Sequence, residues 1–147
     1  PEPERRYDDH PWQWSGGMLQ RAVIAMAMAC APRLLLADEP TTALDVTIQE
    51  QILALLAELQ AGSAMAMVLV SHDIGVVAET CDRIAVMYAG MVVESGPAGE
   101  VLGNPRHPYT LGLLRSSPGV DAAGGRLDPI PGQPPDLARP SRGCPFA

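Results

Sequence analysis

Residues 34–40 read LLLADEP, an apolar run that ends in two adjacent carboxylates. Such an uninterrupted run is typical of a buried strand in a parallel sheet. Asp38 and Glu39 follow at the carboxyl end of that strand, where open α/β sheets bind their ligands. One carboxylate can hold Mg2+, directly or through water, while the other orients or deprotonates an attacking water. The alternative interpretation is a solvated acidic turn.

A second stretch, WSGGM at residues 14–18, reads as a glycine turn that opens a helix near Gly17. Glycines let the backbone approach an anion, which the N–H groups and dipole of a helix start attract. Ser15 would add a hydroxyl donor, although it could equally serve only as the helix N-cap. The helix should end before Pro32. Helical spacing predicts one buried face, formed by Leu19, Val23, Met26 and Cys30.

Further helices and strands follow in alternation. Residues 45–60 predict a helix, capped by Asp45 or by a capping box of Thr47 and Glu50. Its inward residues would be Ile48, Ile52, Leu55, Leu56 and Leu59. Residues 65–70 predict a second apolar strand, covered on both faces like the first. This strand–helix–strand order predicts an α/β fold with a mainly parallel sheet and flanking helices.

A short helix over residues 73–79 should come next, then strands at 83–88 and 91–94 joined by a hairpin turn at Ala89-Gly90. The amino-acid composition changes beyond residue 101, where prolines are frequent and only residues 109–116 look helical. We therefore expect one domain over residues 1–100 and a loop-rich extension over residues 101–147.

Two further expectations concern the start of the first domain and the residues that follow its second strand. Residues 1–13 are polar and proline-rich and are expected to form a loop, and a start at Pro1 suggests a truncated or processed end. Ser71-His72-Asp73 follows the second strand. Because strand ends of one parallel sheet lie side by side, His72 should approach Glu39 and could bond a terminal phosphate. The alternative is a helix cap by Ser71 or Asp73 beside an idle histidine.

Composition limits the function. The net charge is −7, which disfavours nucleic acid and anionic lipid as partners. No apolar run is long enough to span a membrane, and three scattered cysteines do not form a disulfide framework, which fits a reducing cytosol. All ten basic residues are arginine, so these 147 residues cannot contain the phosphate-gripping loop Gly-x-x-x-x-Gly-Lys-Ser/Thr.

Together these motifs resemble the ATP-binding subunit of ABC transporters, a P-loop NTPase of which this chain would be a part. Residues 15–18 and Gln20 resemble the signature loop, residues 34–39 the Walker B strand with its general base, and residues 42–45 the D-loop. His72 resembles the switch histidine. Residues 37–47, 86–90, 107–110 and the tail from Ile130 to Phe146 resemble the oligopeptide, dipeptide and nickel importers.

The resemblance implies two ATPase subunits that sandwich two ATP molecules head to tail. Asp38 would organise Mg2+, Glu39 would activate water, His72 would sense the terminal phosphate, and Asp45 would couple the two sites. The signature residues would meet the nucleotide held by the partner subunit; they are Ser15, Gly16, Gly17, Met18 and Gln20. The partners implied are a second ATPase subunit, an integral-membrane permease and, indirectly, a solute-binding protein. The subunit would sit on the cytoplasmic face of the membrane.

Several features depart from the family pattern. Trp14 stands where leucine is usual, and Leu19 where a polar or basic residue is usual. The Walker A loop, the adenine-stacking aromatic and the glutamine loop lie upstream in the family. Only Cys144 represents the cysteines that continue the tail in some relatives, so we expect no iron–sulfur cluster. Two other functions stay open: an inert fragment that binds no ATP alone, and a soluble ABC ATPase of translation or DNA repair, which the acidic charge and importer-like tail disfavour.

Overall fold

The computed structural model describes residues 3–117, 129–133, 135, 138 and 143–146. The chain folds as two compact units, Pro1–Ser71 and His72–Ala147. Parts of the predicted loop-rich extension lie outside the described residues: 118–128, 134, 136–137, 139–142 and 147.

In its described residues, the first unit has a parallel strand pair, three α-helices and a 3-10 turn. Its regular elements are helix α1 (Pro3–Arg6), a 3-10 turn (Pro11–Gln13), helix α2 (Gly16–Met28), strand β1 (Leu34–Asp38), helix α3 (Val46–Ala61) and strand β2 (Ala66–Val70). The strands pair in parallel from Leu34 opposite Ala66 to Asp38 opposite Val70. A parallel pair needs a crossover, which α3 supplies, so the predicted α/β arrangement is confirmed. The expectation that residues 1–13 are all loop is wrong, because two short helical stretches form there.

The core of this unit forms around three buried residues, Ile24, Ile52 and Leu56. Partly buried apolar side chains surround them: Met28, Leu35, Leu44, Ile48, Leu55, Leu59 and Met67. The predicted inner face of α3 is therefore confirmed. Asp45, and not the Thr47–Glu50 capping box, caps this helix, because its carboxylate accepts the Ile48 N–H at 3.0 Å.

The predicted buried face of α2 is wrong. Val23 is 52% exposed and Met26 68% exposed, and Leu19 and Cys30 are exposed as well. Gly17, Ile24 and Met28 face α3 instead. Ile24 and Met28 follow Gly17 by seven and eleven residues, so the three positions share one helical face. Because Gly17 lies directly against Ile48 of α3, this face is turned inward. The helix carries two apolar stripes, and periodicity alone does not choose between them.

The expectation that both strands are covered on two faces is also wrong for the described residues. Leu35 and Met67 point toward the core. On the opposite face Leu34, Leu36, Val68 and Val70 are 52%, 70%, 48% and 51% exposed. Helices α2 and α3 pack on one face of the strand pair, and we call the other the outer face of β1–β2.

The second unit contains a hairpin and three helices. Its elements are α4 (Ile74–Thr80), β3 (Arg83–Tyr88), β4 (Met91–Pro97), α5 (Ala98–Gly103) and α6 (Pro108–Ser116). Strands β3 and β4 are antiparallel, and Ala89 and Gly90 both take positive φ, 50° and 78°, as a two-residue hairpin turn requires. The predicted turn is confirmed.

Helix α5 was missed because its glycines, Gly99 and Gly103, weaken the helical signal. This helix spans the predicted domain boundary near residue 100, which stays a prediction.

Candidate functional site

The two carboxylates stand at the carboxyl end of β1. Asp38 is the last residue of the strand, and the Glu39 N–H donates to the Val70 carbonyl at 2.9 Å, which extends the ladder by one bond. Both side chains are exposed. Glu39 has φ +44°, a left-handed conformation that is uncommon outside glycine and costs about 1–3 kcal/mol. This backbone conformation follows the last residue of the strand, Asp38.

A tight turn follows Glu39. The Thr42 N–H donates to the Glu39 carbonyl at 3.2 Å, which closes the turn around buried Pro40. The Thr42 hydroxyl also donates to Oε2 of the Glu39 carboxylate at 2.7 Å. Ala43 is left-handed as well, with φ +63°, and the chain then enters α3 at its cap Asp45. The side-chain role of Thr42 was not predicted from the sequence. A proline inside a four-residue turn was the signal that could have placed it opposite Glu39.

The predicted signature stretch forms the first turn of α2. The Ser15 hydroxyl accepts the Met18 N–H at 3.4 Å, so its capping role is confirmed. The first N–H groups of a helix have no acceptor within the helix, so those of Gly16 and Gly17 face the helix start. Ser15 and Gly16 are exposed, whereas Met18 and Gln20 are half-buried. This geometry is compatible with an anion at the helix start.

Glycine is also required here for packing. A Cβ on Gly16 would lie 3.2 Å from Leu44 Cδ2, and one on Gly17 would lie 2.6 Å from Ile48 Cγ2. The second distance is shorter than real Cβ contacts allow. The helix start therefore packs against the segment that follows the Glu39 turn. Within the first unit, the predicted signature stretch contacts the predicted D-loop, which in turn contacts the end of the predicted Walker B strand. From the sequence, phosphate binding was the reason expected for glycine at these two positions.

His72 belongs to the second unit and is exposed. The neighbouring Asp73 caps α4, because its Oδ1 accepts the N–H groups of Gly75 at 2.9 Å and Val76 at 3.3 Å. The predicted cap is thus confirmed. The predicted approach of His72 to Glu39 would join the two units and stays a prediction.

The residues present fit Mg2+ only as part of a shared site. Within the described ranges no group of three or more His, Cys, Asp or Glu side chains could hold a metal ion. Protein sites for Mg2+ use one or two carboxylates and complete the shell with phosphate oxygens and water. Exposed Asp38 can supply one such carboxylate, so a nucleotide-borne Mg2+ fits the chemistry and an all-protein cage does not.

Another carboxylate, Glu94 on β4, holds the loop before α6. Its two oxygens accept the N–H groups of Arg106 at 2.8 Å and His107 at 3.1 Å. Burial alone would raise the pKa of Glu94, but the nearby Thr110 side chain, the two N–H donors and the charge on His107 together lower it below its usual value. The Thr110 hydroxyl makes no hydrogen bond of good geometry among the described residues, so we assign the lower pKa chiefly to the N–H donors.

An open cavity of about 640 Å3 lies beside Glu94. Its lining contains none of the predicted site residues. We therefore base the functional assignment on the motifs and not on this cavity.

Two known families match this chain. The family described as ABC transporter matches residues 2–42, and the family described as oligopeptide/dipeptide transporter, C-terminal region, matches residues 93–147. The described part of the chain has no helix with the length and apolar character to cross a membrane.

Curated relatives cover the chain from end to end. It is 55% identical over 147 residues to the dipeptide transport ATP-binding protein DppD of Bacillus subtilis, which covers 100% of this chain and 44% of that protein. A putative peptide import ATP-binding protein of Brucella ovis is 57% identical over 153 residues, covering 100% of this chain and 45% of that protein. The oligopeptide transport ATP-binding protein OppD of Salmonella typhimurium is 51% identical over 146 residues, covering 99% of this chain and 44% of that protein. The chain therefore spans less than half the length of these relatives.

Solved structures of ATP-binding cassettes are similar in fold. One is the dimeric post-hydrolysis state of the cassette MJ0796 bound to ADP and Pi, with a TM-score of 0.57 and 39% identity over 65% of this chain and 40% of that chain. Another is cbiO1 from Clostridium perfringens, part of the transporter complex cbiONQ, with a TM-score of 0.57 and 34% identity over 62% of this chain and 36% of that chain.

Proposed function

Since this chain belongs to the ATP-binding family of ABC transporters, we propose that it is part of an ATP-hydrolysing subunit that energises import of dipeptides, oligopeptides or related solutes. The printed names of the curated relatives, which concern dipeptide, oligopeptide and peptide import, support the substrate class. The match of residues 93–147 to the C-terminal region of this transporter group supports it further.

The observation that carries the proposal is the arrangement at the end of β1. Asp38 and Glu39 are both exposed there, and the glycine helix start is packed against the segment that leaves the same turn. A carboxylate pair at the end of a parallel strand suits a metal ion and an attacking water, and a glycine helix start suits a phosphate.

The roles rest on this chemistry and on the resemblance of the motifs to the ATP-binding subunits of ABC transporters. Asp38 would hold the Mg2+ that accompanies ATP, and Glu39 would take a proton from the attacking water. His72 would bond the terminal phosphate. The bound metal supplies charge neutralisation on the phosphate oxygens.

The remaining site residues would act between subunits. Asp45 would couple the two nucleotide sites. The helix start would contact the nucleotide of a second ATPase subunit through Ser15, Gly16, Gly17, Met18 and Gln20. The complete assembly would also include permease subunits and a solute-binding protein, and would place this subunit on the cytoplasmic face of the membrane. We further propose that residues 1–100 belong to the ATPase domain and residues 101–147 to the extension.

The test is Glu39→Gln in the complete protein that contains this chain, assembled with its permease. The neutral amide cannot accept the proton, so ATP turnover should fall by about 10²–10⁴-fold while nucleotide binding is preserved. Glu58→Gln, the same change at an exposed position of α3, is the matched control and should leave turnover intact. Near-normal phosphate release by Glu39→Gln would remove Glu39 from the role of base.

A further inference from the structure

We propose that Thr42 is a positioning residue that holds the Glu39 carboxylate in the orientation needed to activate water. The proposal rests on the proposed function, in which Glu39 is the general base. It assigns to Thr42 a role that acts through Glu39 and not through contact with substrate.

Two hydrogen bonds from one residue carry the inference. The Thr42 N–H donates to the Glu39 carbonyl at 3.2 Å, and the Thr42 hydroxyl donates to Glu39 Oε2 at 2.7 Å. The first bond fixes the backbone of the turn and the second fixes the side chain above it. Pro40, at the second position of the turn, is buried and has a restricted φ, which limits the motion of both groups.

The physical need for such a contact is specific to glutamate. Its carboxylate is separated from the backbone by three rotatable bonds, so an exposed glutamate samples many orientations. A general base must hold its oxygen within about 2.6–3.2 Å of the water oxygen whose proton it accepts. A hydroxyl that donates to a charged carboxylate forms one of the stronger hydrogen bonds in proteins, and it selects one orientation.

The hydroxyl of Thr42 has little to do for folding. The residue is exposed, so water can replace its hydrogen bond if Glu39 turns away. Removing the oxygen should therefore cost little stability but take away the restraint that Thr42 places on the carboxylate. This difference separates a positioning role from a structural one.

The experiment compares Thr42→Val, which keeps the shape and removes the hydroxyl, with Thr42→Ser, which keeps the hydroxyl. It uses the complete assembled protein. Loss of one hydrogen bond to a charged group corresponds to about a tenfold effect. We expect Thr42→Val to lower kcat about tenfold with the Kd for ATP within about twofold of wild type, and Thr42→Ser to restore kcat to within about threefold. Thr47→Val, the same change at an exposed position on α3, is the matched control and should leave kcat unchanged.

A double-mutant cycle distinguishes positioning from a general disturbance. In the Glu39→Gln background, adding Thr42→Val should not lower the residual turnover further, because the group that Thr42 positions is already inactive. An equal loss in both backgrounds would overturn the proposal, as would a Thr42→Val variant with wild-type kcat. If Thr42→Val loses ATP binding, Thr42→Ala is judged by the same cycle.

Failure of this inference is distinguishable from failure of the proposed function. A normal Thr42→Val variant beside an inactive Glu39→Gln variant contradicts only the inference. An active Glu39→Gln variant, or a wild-type assembly without ATP turnover, contradicts the proposed function and the inference together.

Discussion

At the level of single residues, Glu94 makes the stability of the second unit depend on pH. Its carboxylate receives two backbone N–H groups from the loop before α6, and these donors, with their neighbours, lower its pKa. A lowered folded-state pKa means that the stabilisation is present above the ordinary value of 4.5 and is lost as the pH falls through the lower folded value.

We therefore expect the stability of the Glu94→Gln variant to change less with pH in the acid range than that of the wild type. The amide oxygen can accept only one of the two N–H groups well, so the variant should be less stable than wild type at neutral pH, and the difference should shrink below about pH 4. The free energy of unfolding, measured by urea titration between pH 3 and pH 7, tests this. Glu100→Gln, at an exposed position of α5, is the control. A constant difference across the whole range would contradict the assignment.

The residue scale also shows how far the candidate site could be predicted. Asp38 and Glu39 were located correctly at the end of β1 because an apolar run followed by two carboxylates defines that end. Thr42 was missed because Pro40 indicates the turn, whereas the side-chain contact also depends on the left-handed backbone of Glu39, which the proline does not specify. The contact exists only once the turn is built.

At the element scale, the helices and strands were located within a few residues, but their facing was not. The inner face of α3 was predicted correctly because its apolar positions form one stripe. Helix α2 has two apolar stripes, and a tertiary contact at Gly17 selects the one that is buried. Sequence periodicity contains no information about that contact.

Gly17→Ala tests the contact between α2 and α3. The added methyl group would lie 2.6 Å from Ile48 Cγ2, so the helix start must shift and the protein should lose about 1–3 kcal/mol of stability. Thermal unfolding measures the loss, and Gly17→Ala should cost less in an Ile48→Ala background, where there is room for the methyl group, than in the wild type.

Gly99→Ala is the matched control for this substitution. Gly99 is also in a helix, but nothing lies within 4 Å of an added Cβ, so the change should be neutral or slightly stabilising. Equal effects at Gly17 and Gly99 would show that the packing of Gly17 against Ile48 is not the cause.

At the scale of the whole molecule, the composition predicts what the chain does alone. Its 147 residues contain no lysine to grip the phosphates of a nucleotide, and the described carboxylates form no complete metal site. We expect isothermal titration of the isolated chain with Mg-ATP to show no micromolar binding. Circular dichroism should first establish that the chain is helical, so that absence of binding does not reflect unfolding. Micromolar affinity would contradict this expectation and the alternative of an inert fragment.

The outer face of β1–β2 has a practical consequence. Leu34, Leu36, Val68 and Val70 place four apolar side chains in contact with water on two adjacent strands. Surfaces of this kind promote self-association and attract chaperones and proteases. A chain that leaves them bare will therefore have low solubility at the concentrations used for purification, and in the cell its lifetime will depend on how quickly that face is covered.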